Sequence, residues 1–463
     1  MDASKRELLS HIAAFRGVMT YDALEALTQH TTGVDLDSTL DELIDRGLLL
    51  YDRSQAHYDL HPIVRQYAYE RLTARSTVHT RLRDYFAKVP IPSQRRIKTV
   101  DQLSPVIELY HHTVRAGQYD EALDLLCSRL HDQLYYRFGA YEIVVELLRG
   151  LFPDGDDRIA RLKTADDQCW VDCALANVYA RSGQVGGALP LYLRAKATDY
   201  KMGAKVDVCV ELCEIAYAQL AMGHLREAEQ SLQKEIELSQ EIHDTVALAD
   251  GRHALGRLRA YQGRSSESGA ELKAALTIYQ GCNDRQAEGQ VWFDRSLAAL
   301  IIGNMAQGIE FAREARKLAD VASYERDIIQ AEWLLGWAQT AQAPAAAEAH
   351  LAEVLTRCRR ISLVELEPEI LLSWARWHRG AGNEANARDY ASESLAIAER
   401  CDYRLVQAEG RNFLAQVYLD SGDRAAALES ARTARELAWC SGPPDCYIPA
   451  LKEAEALIAS ASP

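Results

Sequence analysis

The chain contains, at residues 174–183, the stretch Ala174-Leu175-Ala176-Asn177-Val178-Tyr179-Ala180-Arg181-Ser182-Gly183. The glycine that closes this stretch recurs at a spacing of 40, and the series runs Gly183, Gly223, Gly263 and Gly303, then Gly382 and Gly422. The missing member falls in Ala341-Gln342-Ala343-Pro344, where the turn is one residue shorter. Self-similarity at a fixed period of this length indicates an array of stacked structural repeats.

Small residues flank each turn at fixed distances. Seven residues before the turn stand Ala176, Ala216, Gly256, Ser296, Gly336, Ala375 and Ala415. Five residues after it stand Ala188, Ala228, Ser268, Gly308, Ala347, Ala387 and Ala427. Two antiparallel helices approach closely where side chains are small, and glycine ends the first helix in a left-handed conformation at little steric cost. The pattern therefore predicts helix pairs that stack through their apolar faces into an α-solenoid.

This repeat resembles the tetratricopeptide repeat (TPR), with helices somewhat longer than the usual unit of that family. The resemblance covers about residues 169–440, and residues 116–123 read as an earlier partial copy. After Gly442-Pro443-Pro444, residues 447–460 are predicted to form one last helix that caps the stack. The expected fold class is mainly α, with a right-handed TPR-like solenoid whose period is about 40 residues.

The first 75 residues follow a different pattern. Helices are predicted over residues 5–15, 21–29 and 37–46, with Thr20 as an N-cap of the second and Asp37 opening the third. Two strands are predicted on either side of a polar turn, over residues 48–51 and 57–60. A further helix begins at Pro62, because proline suits the first helical turn, and runs to about Ala74. Three helices followed by a hairpin is the order of a winged helix.

Charge argues against nucleic acid as a partner. The third helix, which would enter the groove of DNA, carries only Arg46 against Asp37, Asp41, Glu42 and Asp45. The net charge is −15, and residues 1–100 hold 14 Lys+Arg and 13 Asp+Glu while the rest of the chain holds 38 and 54. An acidic repeat region repels phosphate backbones and anionic membranes. We expect neither nucleic acid nor a membrane as partner.

Three further stretches resemble one family of signalling proteins. They are Leu60-His61-Pro62-Ile63-Val64-Arg65-Gln66-Tyr67-Ala68, residues 144–161, and the tail Trp439-Cys440-Ser441-Gly442-Pro443-Pro444. They are similar to bacterial signal-transduction ATPases with numerous domains (STAND proteins), the NB-ARC and NACHT relatives of NOD-like immune receptors. The resemblance implies a winged helix that relays a signal from a TPR sensor to a nucleotide-binding domain, in bacterial signalling or defence. It also implies that His61 matches the histidine that contacts the ADP phosphate in the resting state.

The chain departs from that family in lacking a phosphate-binding loop. Such a loop needs a glycine followed by lysine, and none of the 26 glycines is followed by lysine. We therefore expect no cofactor in this chain, with ADP or ATP bound only by a missing or separate nucleotide-binding domain, in cis or in trans. For His61 two interpretations stay open, namely nucleotide sensing in trans and an N-cap before Pro62.

Motifs typical of catalysis or of metal binding are not found, and we expect no enzyme. His-Glu-x-x-His, Gly-x-Ser-x-Gly and Cys-x-x-Cys are missing. Cys169, Cys173, Cys209 and Cys213 have zinc-like spacing, but equivalent positions of neighbouring helices lie ~10 Å apart, which favours buried thiols in the core. No metal is expected at Tyr110-His111-His112, because successive helical residues point to different faces. The run Glu365-Leu366-Glu367-Pro368-Glu369 is expected to be a solvated turn.

A ligand site is predicted on the concave face of the solenoid, which the first helix of each pair lines in TPR stacks. Two positions four residues apart on those helices concentrate aromatic and cationic residues, which often carry binding energy. The predicted ligand-binding residues are His253, Arg257, Phe293, Trp333, Trp337 and Arg376. The alternative is that the tryptophans pack between repeats, and solvent accessibility distinguishes the two.

Four segments result: a winged-helix domain (1–75), linking helices with a degenerate repeat (76–165), the solenoid (166–440) and a capping helix (441–463). The leading hypothesis is the ligand-sensing, regulatory module of a STAND-type ATPase, which binds a protein or peptide trigger. The alternatives are a free-standing TPR adaptor and a winged-helix transcription regulator. Because no signal peptide precedes the first helix and no run approaches the ~20 apolar residues of a membrane span, we expect a cytoplasmic location.

Overall fold

A computed structural model describes residues 3–28, 35–90, 96–340 and 342–462. Contacts divide the chain into two compact units. The first consists of Met1–Leu134 and Glu146–Lys163, and the second of Tyr135–Val145 and Thr164–Pro463. The first unit thus combines the winged-helix segment with most of the predicted linking helices, and the second contains the repeats.

The N-terminal segment is a winged helix. Its elements are α1 (Ala3–Ile12), α2 (Tyr21–Thr28), α3 (Leu36–Asp45), β1 (Leu49–Asp52), β2 (His57–Leu60) and α4 (Pro62–Glu70). The strands pair antiparallel, with Leu49 opposite Leu60. The apolar faces of the helices pack against the hairpin in one core that includes Ile12, Leu24 and Leu40. The predicted order of elements is therefore confirmed.

Among the predicted helix boundaries, the N-cap of α2 agrees with the structure, whereas the start of α3 and the end of α4 differ. The backbone N–H of Ala23 donates to Thr20 Oγ1 at 3.4 Å, as expected for an N-cap. Asp37 does not open α3, since the extended N-cap position is Asp35. Helix α4 ends at Glu70 because the chain turns before Ala74, which adopts a left-handed conformation with φ +51°. The predicted last residue of α2, at position 29, lies outside the described part of the chain.

Further helices follow the winged helix. They are α5 (Arg75–Phe86), α6 (Ser104–Arg115), α7 (Tyr119–Leu125) and α8 (Tyr141–Arg149), with a 3₁₀ turn at Val100–Leu103 and π-helical turns at Leu126–Leu130 and Asp132–Arg137. Gly117, with φ +85°, separates α6 from α7. The predicted partial repeat at residues 116–123 falls in this helix–turn–helix.

Seven antiparallel helix pairs and a final helix form the solenoid in the described residues. The pairs are α9 (Ala165–Arg181) with α10 (Val185–Met202), α11 (Lys205–Ala221) with α12 (Leu225–Glu241), α13 (Thr245–Tyr261) with α14 (Ser265–Cys282), α15 (Arg285–Ile301) with α16 (Met305–Ala322), α17 (Glu325–Gln339) with α18 (Pro344–Arg360), α19 (Glu367–Gly380) with α20 (Glu384–Arg400), and α21 (Arg404–Asp420) with α22 (Arg424–Ala438). Helix α23 (Ile448–Ala461) packs on the last pair. Each glycine of the 40-residue series has φ between +71° and +81°, as a left-handed turn requires.

The solenoid closes on itself, because late repeats contact the turns of early ones. The backbone N–H of Glu365 donates to the carbonyl of Arg181 at 3.1 Å. Further along, Arg226 Nε lies 2.9 Å from a carboxylate oxygen of Asp445. The rings of Tyr261 and Tyr447 meet edge to face, with centroids 5.1 Å apart. These contacts join residues about 180 or more positions apart and enclose the inner face.

Glycine allows this close approach. A Cβ atom at Gly183 would lie 2.7 Å from Val364 Cγ1 and 2.8 Å from Cys401 Sγ, and one at Gly263 would lie 2.9 Å from Ile448 Cγ2. These positions therefore need glycine both for the turn and for contact with a later repeat. Of the shortened turn, Ala341 lies outside the described residues.

Among the residues that the structure describes, no helix is both long and apolar enough to cross a membrane.

Candidate ligand cavity inside the solenoid

The closed solenoid surrounds a cavity of about 330 Å³. Its wall comes mainly from the first helices of successive pairs, α9, α11, α13, α15 and α17, with Val185 and Tyr192 from α10, Tyr279 from α14, and residues 365–369 and 403–406 of later repeats. Five tyrosines line it, namely Tyr192, Tyr217, Tyr261, Tyr279 and Tyr403. Aromatic walls with a few polar groups are typical of small-ligand sites, which usually begin at ~300 Å³.

Glu365 forms ion pairs with two arginines at the place where a late repeat contacts an early one. Its two carboxylate oxygens lie 2.6 Å from Arg181 Nη1 and 2.6 Å from Arg326 Nε. Burial by itself would raise the pKa of Glu365, but the two guanidinium groups lower it to about 2. The carboxylate is therefore ionised at neutral pH, and it neutralises part of the positive charge in the wall.

Asp294 forms a second charge cluster on α15. His253 Nε2 lies 2.7 Å from one oxygen, and Arg257 Nε lies 3.4 Å from the other. Burial opposes ionisation of Asp294, but Arg257 and His253 hold its pKa below the ordinary value. Arg257 is thus also matched by a carboxylate.

Three other carboxyl groups in the wall, Glu214, Asp250 and Glu369, take part in no ion pair within the described residues. Glu214 accepts a hydrogen bond from the Tyr192 hydroxyl at 3.4 Å, and Asp250 accepts one from the Tyr279 hydroxyl. Burial raises the pKa of all three, and repulsion from Glu409 raises that of Glu369 further. The cavity therefore holds more carboxyl groups than cations.

Five of the six predicted ligand residues, all except His253, form one continuous ladder of rings and cations. The guanidinium carbon of Arg257 lies 5.6 Å from the Phe293 ring centroid, and Phe293 lies 6.1 Å from Trp333. Trp333 stacks on Trp337 at 6.0 Å, and Arg376 lies 4.6 Å from the Trp337 ring. Such contacts are attractive through the ring quadrupoles. The ladder joins four neighbouring repeats.

The ladder only partly faces the cavity. His253, Arg257 and Trp333 belong to the wall, whereas Phe293, Trp337 and Arg376 do not. Trp333 is 1% exposed and donates its indole N–H to Ser373 Oγ at 2.9 Å, and Trp337 is 7% exposed. The tryptophans therefore pack between repeats, which was the alternative interpretation. A role of these six residues in ligand binding stays a prediction.

The expectation of a solvated turn at residues 365–369 was wrong. Glu365 and Glu369 line the cavity, and the side chain of Glu365 is 16% exposed. Sequence reasoning missed this because the contacts of Glu365 come from helices 39 and 184 residues away. Asp250 and Asp294 were missed as well, although Asp250 lies three residues before the predicted His253 and Asp294 directly follows the predicted Phe293.

The structure also places three other sets of candidate residues from the sequence analysis. His61 is the N-cap of α4, and its Nδ1 accepts the Ile63 N–H at 3.3 Å, as the capping interpretation requires. Cys169 and Cys209 are buried, and each thiol faces a backbone carbonyl of the next helix, as core thiols do. The argument that His111 and His112 diverge was wrong, because their nitrogens and one of His79 lie within 4.8 Å of one another.

Together these observations define a winged-helix domain followed by a TPR-like helical solenoid. Residues 1–73 match a family described as a winged helix-turn-helix domain. No sequence among curated proteins matches the chain.

Solved structures share the helical-repeat fold at low identity. A STAND protein with a tetratricopeptide repeat sensor from Pyrococcus horikoshii is 19% identical with a TM-score of 0.41, over 94% of this chain and 63% of that one. The chain thus spans less than two thirds of that protein. The Rap conjugation gene regulator of plasmid pLS20, in complex with the Phr* peptide, is 12% identical with a TM-score of 0.51, over 72% and 94%. A Rap protein complexed with competence and sporulation factor is 13% identical with a TM-score of 0.49, over 70% and 92%.

Proposed function

We propose that this chain is a ligand-sensing and regulatory module, in which the solenoid binds a protein or peptide trigger through its inner cavity. The observation that carries the proposal is the tyrosine-lined cavity, whose wall holds three carboxyl groups that form no ion pair within the described residues. Packing alone does not call for charged groups around a void, because burying an uncompensated carboxyl group costs free energy. The Rap regulator of similar fold was solved with a peptide, and a peptide segment is the ligand that we propose here.

The charge of the cavity favours a cationic group on that ligand. Arg181 and Arg326 are paired with Glu365, and Arg257 is paired with Asp294. Glu214 and Asp250 remain available to a lysine or arginine side chain or to a peptide amino terminus. The nearby tyrosine rings add cation–π attraction. A volume of about 330 Å³ accommodates one such group with its neighbours, not a folded partner.

The test is a binding assay with two peptide pools. Fluorescent pentapeptides with lysine at the central position and random flanks are compared with a matched pool that has glutamate at that position. We expect the lysine pool to bind the full chain more tightly, and raised salt to weaken binding only modestly because Glu214 and Asp250 are partly buried. Equal binding of both pools, or preference for glutamate, would overturn the proposed charge of the site.

We further propose that the winged helix relays ligand binding to a nucleotide-binding domain of the STAND class, in cis or in trans, in bacterial signalling or defence in the cytoplasm. The chain itself would then perform no catalysis. The test is ATP and GTP turnover by the purified protein, for which we expect none above the buffer rate. Steady turnover that a substitution within the chain abolishes would contradict this role.

A further inference from the structure

A cluster of three histidines lies in the first unit. His79 belongs to α5, and His111 and His112 belong to α6, which packs against α5. His79 and His112 are fully buried, and His111 is partly exposed. One nitrogen of each ring lies within 4.8 Å of the others.

The hydrogen-bonding capacity of the two buried rings is not fully used. The Nδ1 atoms of His79 and His112 face each other at 2.9 Å. As a simple hydrogen bond, this contact needs a proton on one Nδ1 and a lone pair on the other. His112 Nε2 has no hydrogen-bond partner among the described residues, and Glu108 Oε2 lies 3.6 Å from it. Glu108 Oε2 is itself buried without a partner there.

A different proton arrangement uses every one of these groups. If both Nδ1 atoms carry lone pairs, both Nε2 atoms carry hydrogens. The Nε2–H of His79 then donates to the Tyr69 hydroxyl, 2.9 Å away, and that of His112 points toward the Glu108 carboxylate. An oxygen acceptor behind each imidazole is the usual surrounding of metal-binding histidines.

We propose that His79, His111 and His112 bind a zinc-like divalent transition metal, with water as the fourth ligand on the partly exposed side of His111. Three neutral imidazoles suit zinc, cobalt, nickel or copper. With metal–nitrogen distances of ~2.0–2.1 Å, tetrahedral geometry separates two nitrogens by ~3.3 Å. The Nδ1 atoms of His79 and His112, now 2.9 Å apart, need to separate by only ~0.4 Å to reach that distance.

Some charged groups around the cluster repel a bound cation, and others attract it. Arg75 and Arg115 repel a cation, and so does Arg16, although Glu146 is paired with it. Glu108 provides a compensating carboxyl group beside His112.

The experiment is a cobalt titration of the full chain after removal of metals with EDTA. Tetrahedral Co²⁺ with nitrogen ligands gives visible d–d bands, whereas cysteine ligands add intense near-ultraviolet charge-transfer bands. We expect one equivalent of Co²⁺ with d–d bands and no thiolate bands, displacement by Zn²⁺, and a rise in the melting temperature with either metal. His111→Ala is the main variant because His111 is partly exposed, and His224→Ala is the control because His224 is exposed and lies in the solenoid.

His111→Ala should lower the Co²⁺ affinity at least tenfold and remove the metal-dependent melting shift, while His224→Ala should leave both unchanged. Circular dichroism verifies that His111→Ala is folded, and the milder His79→Asn serves as a second variant. The proposal is overturned if the wild-type chain binds no Co²⁺, if thiolate bands accompany binding, or if His111→Ala binds like the wild type.

Discussion

Two carboxyl groups four residues apart, Glu365 and Glu369, experience opposite surroundings in the same cavity. Two arginines hold the pKa of Glu365 at about 2, below its value in an unfolded chain. Burial and Glu409 hold the pKa of Glu369 above that value. By linkage, Glu365 stabilises the fold above the unfolded pKa and loses this contribution as the pH falls toward 2. Glu369 instead destabilises the fold increasingly as the pH rises above the unfolded value of ~4.3.

We therefore expect opposite effects from two matched substitutions. Glu365→Gln should lower the free energy of unfolding at pH 8 by ~3 kcal/mol or more, because it leaves Arg181 and Arg326 without their partner. Glu369→Gln should be near neutral at pH 5 and stabilising by ~1 kcal/mol or more at pH 8. Urea denaturation at both pH values measures this. Destabilisation by Glu369→Gln at pH 8 would show that its carboxylate is paired in solution.

The N-cap role of His61 can be tested by two substitutions. Its Nδ1 caps α4, so His61→Ala should lower the free energy of unfolding by ~1 kcal/mol, the usual cost of a lost cap. His61→Asn should restore most of that loss, because asparagine is a good N-cap. Thermal unfolding measures both. Unchanged stability in the alanine variant, together with weaker ADP-dependent docking to a nucleotide-binding partner, would favour nucleotide sensing instead.

Substitutions at the turn glycines distinguish two costs. One is the backbone strain of the turn itself, and the other is the disturbed contact between an early and a late repeat. Gly183 and Gly303 have nearly the same φ, +81° and +80°. A Cβ at Gly303 would meet nothing within 4 Å, whereas one at Gly183 would collide with Val364 and Cys401. Gly303→Ala should therefore cost ~1–2 kcal/mol, the left-handed penalty alone. Gly183→Ala should lower the free energy of unfolding by ~1–3 kcal/mol more, because the added methyl group overpacks the contact. Chemical denaturation measures both losses. Equal losses would mean that the closing contact is absent in solution.

The turns also show which features of the fold could be predicted from the sequence. Its 40-residue period predicted the helix pairs and the left-handed glycines, because both depend on neighbours within one repeat. Of the predicted ligand residues, His253, Arg257 and Trp333 line the cavity, and their role in ligand binding stays a prediction. The sequence could not predict the role of Glu365, because periodicity reports contacts between adjacent repeats and not between the first and the sixth. The burial of Trp337 likewise depends on the exact rotation of each helix, which spacing alone does not determine.

For the whole molecule, ligand binding should be coupled to protons. A cationic ligand favours the ionised forms of Glu214, Asp250 and Glu369, whose pKa values burial raises. Binding then releases protons, so the affinity for the lysine pentapeptide pool should rise with pH between 6 and 8. Fluorescence anisotropy measures this at constant ionic strength. An affinity that falls as the pH rises would indicate that an anionic group of the peptide is bound instead.

One affinity comparison shows whether the cavity inside the solenoid is the binding site. The variant Glu214→Gln/Asp250→Asn keeps an acceptor for the hydroxyls of Tyr192 and Tyr279 but removes two carboxyl groups. The exposed Glu429→Gln is the charge control. We predict that the double variant binds the lysine pool at least tenfold more weakly than the wild type, while Glu429→Gln binds normally and all three proteins have the same helical content. Unchanged affinity in a folded double variant would contradict the account, because the ligand would then bind elsewhere.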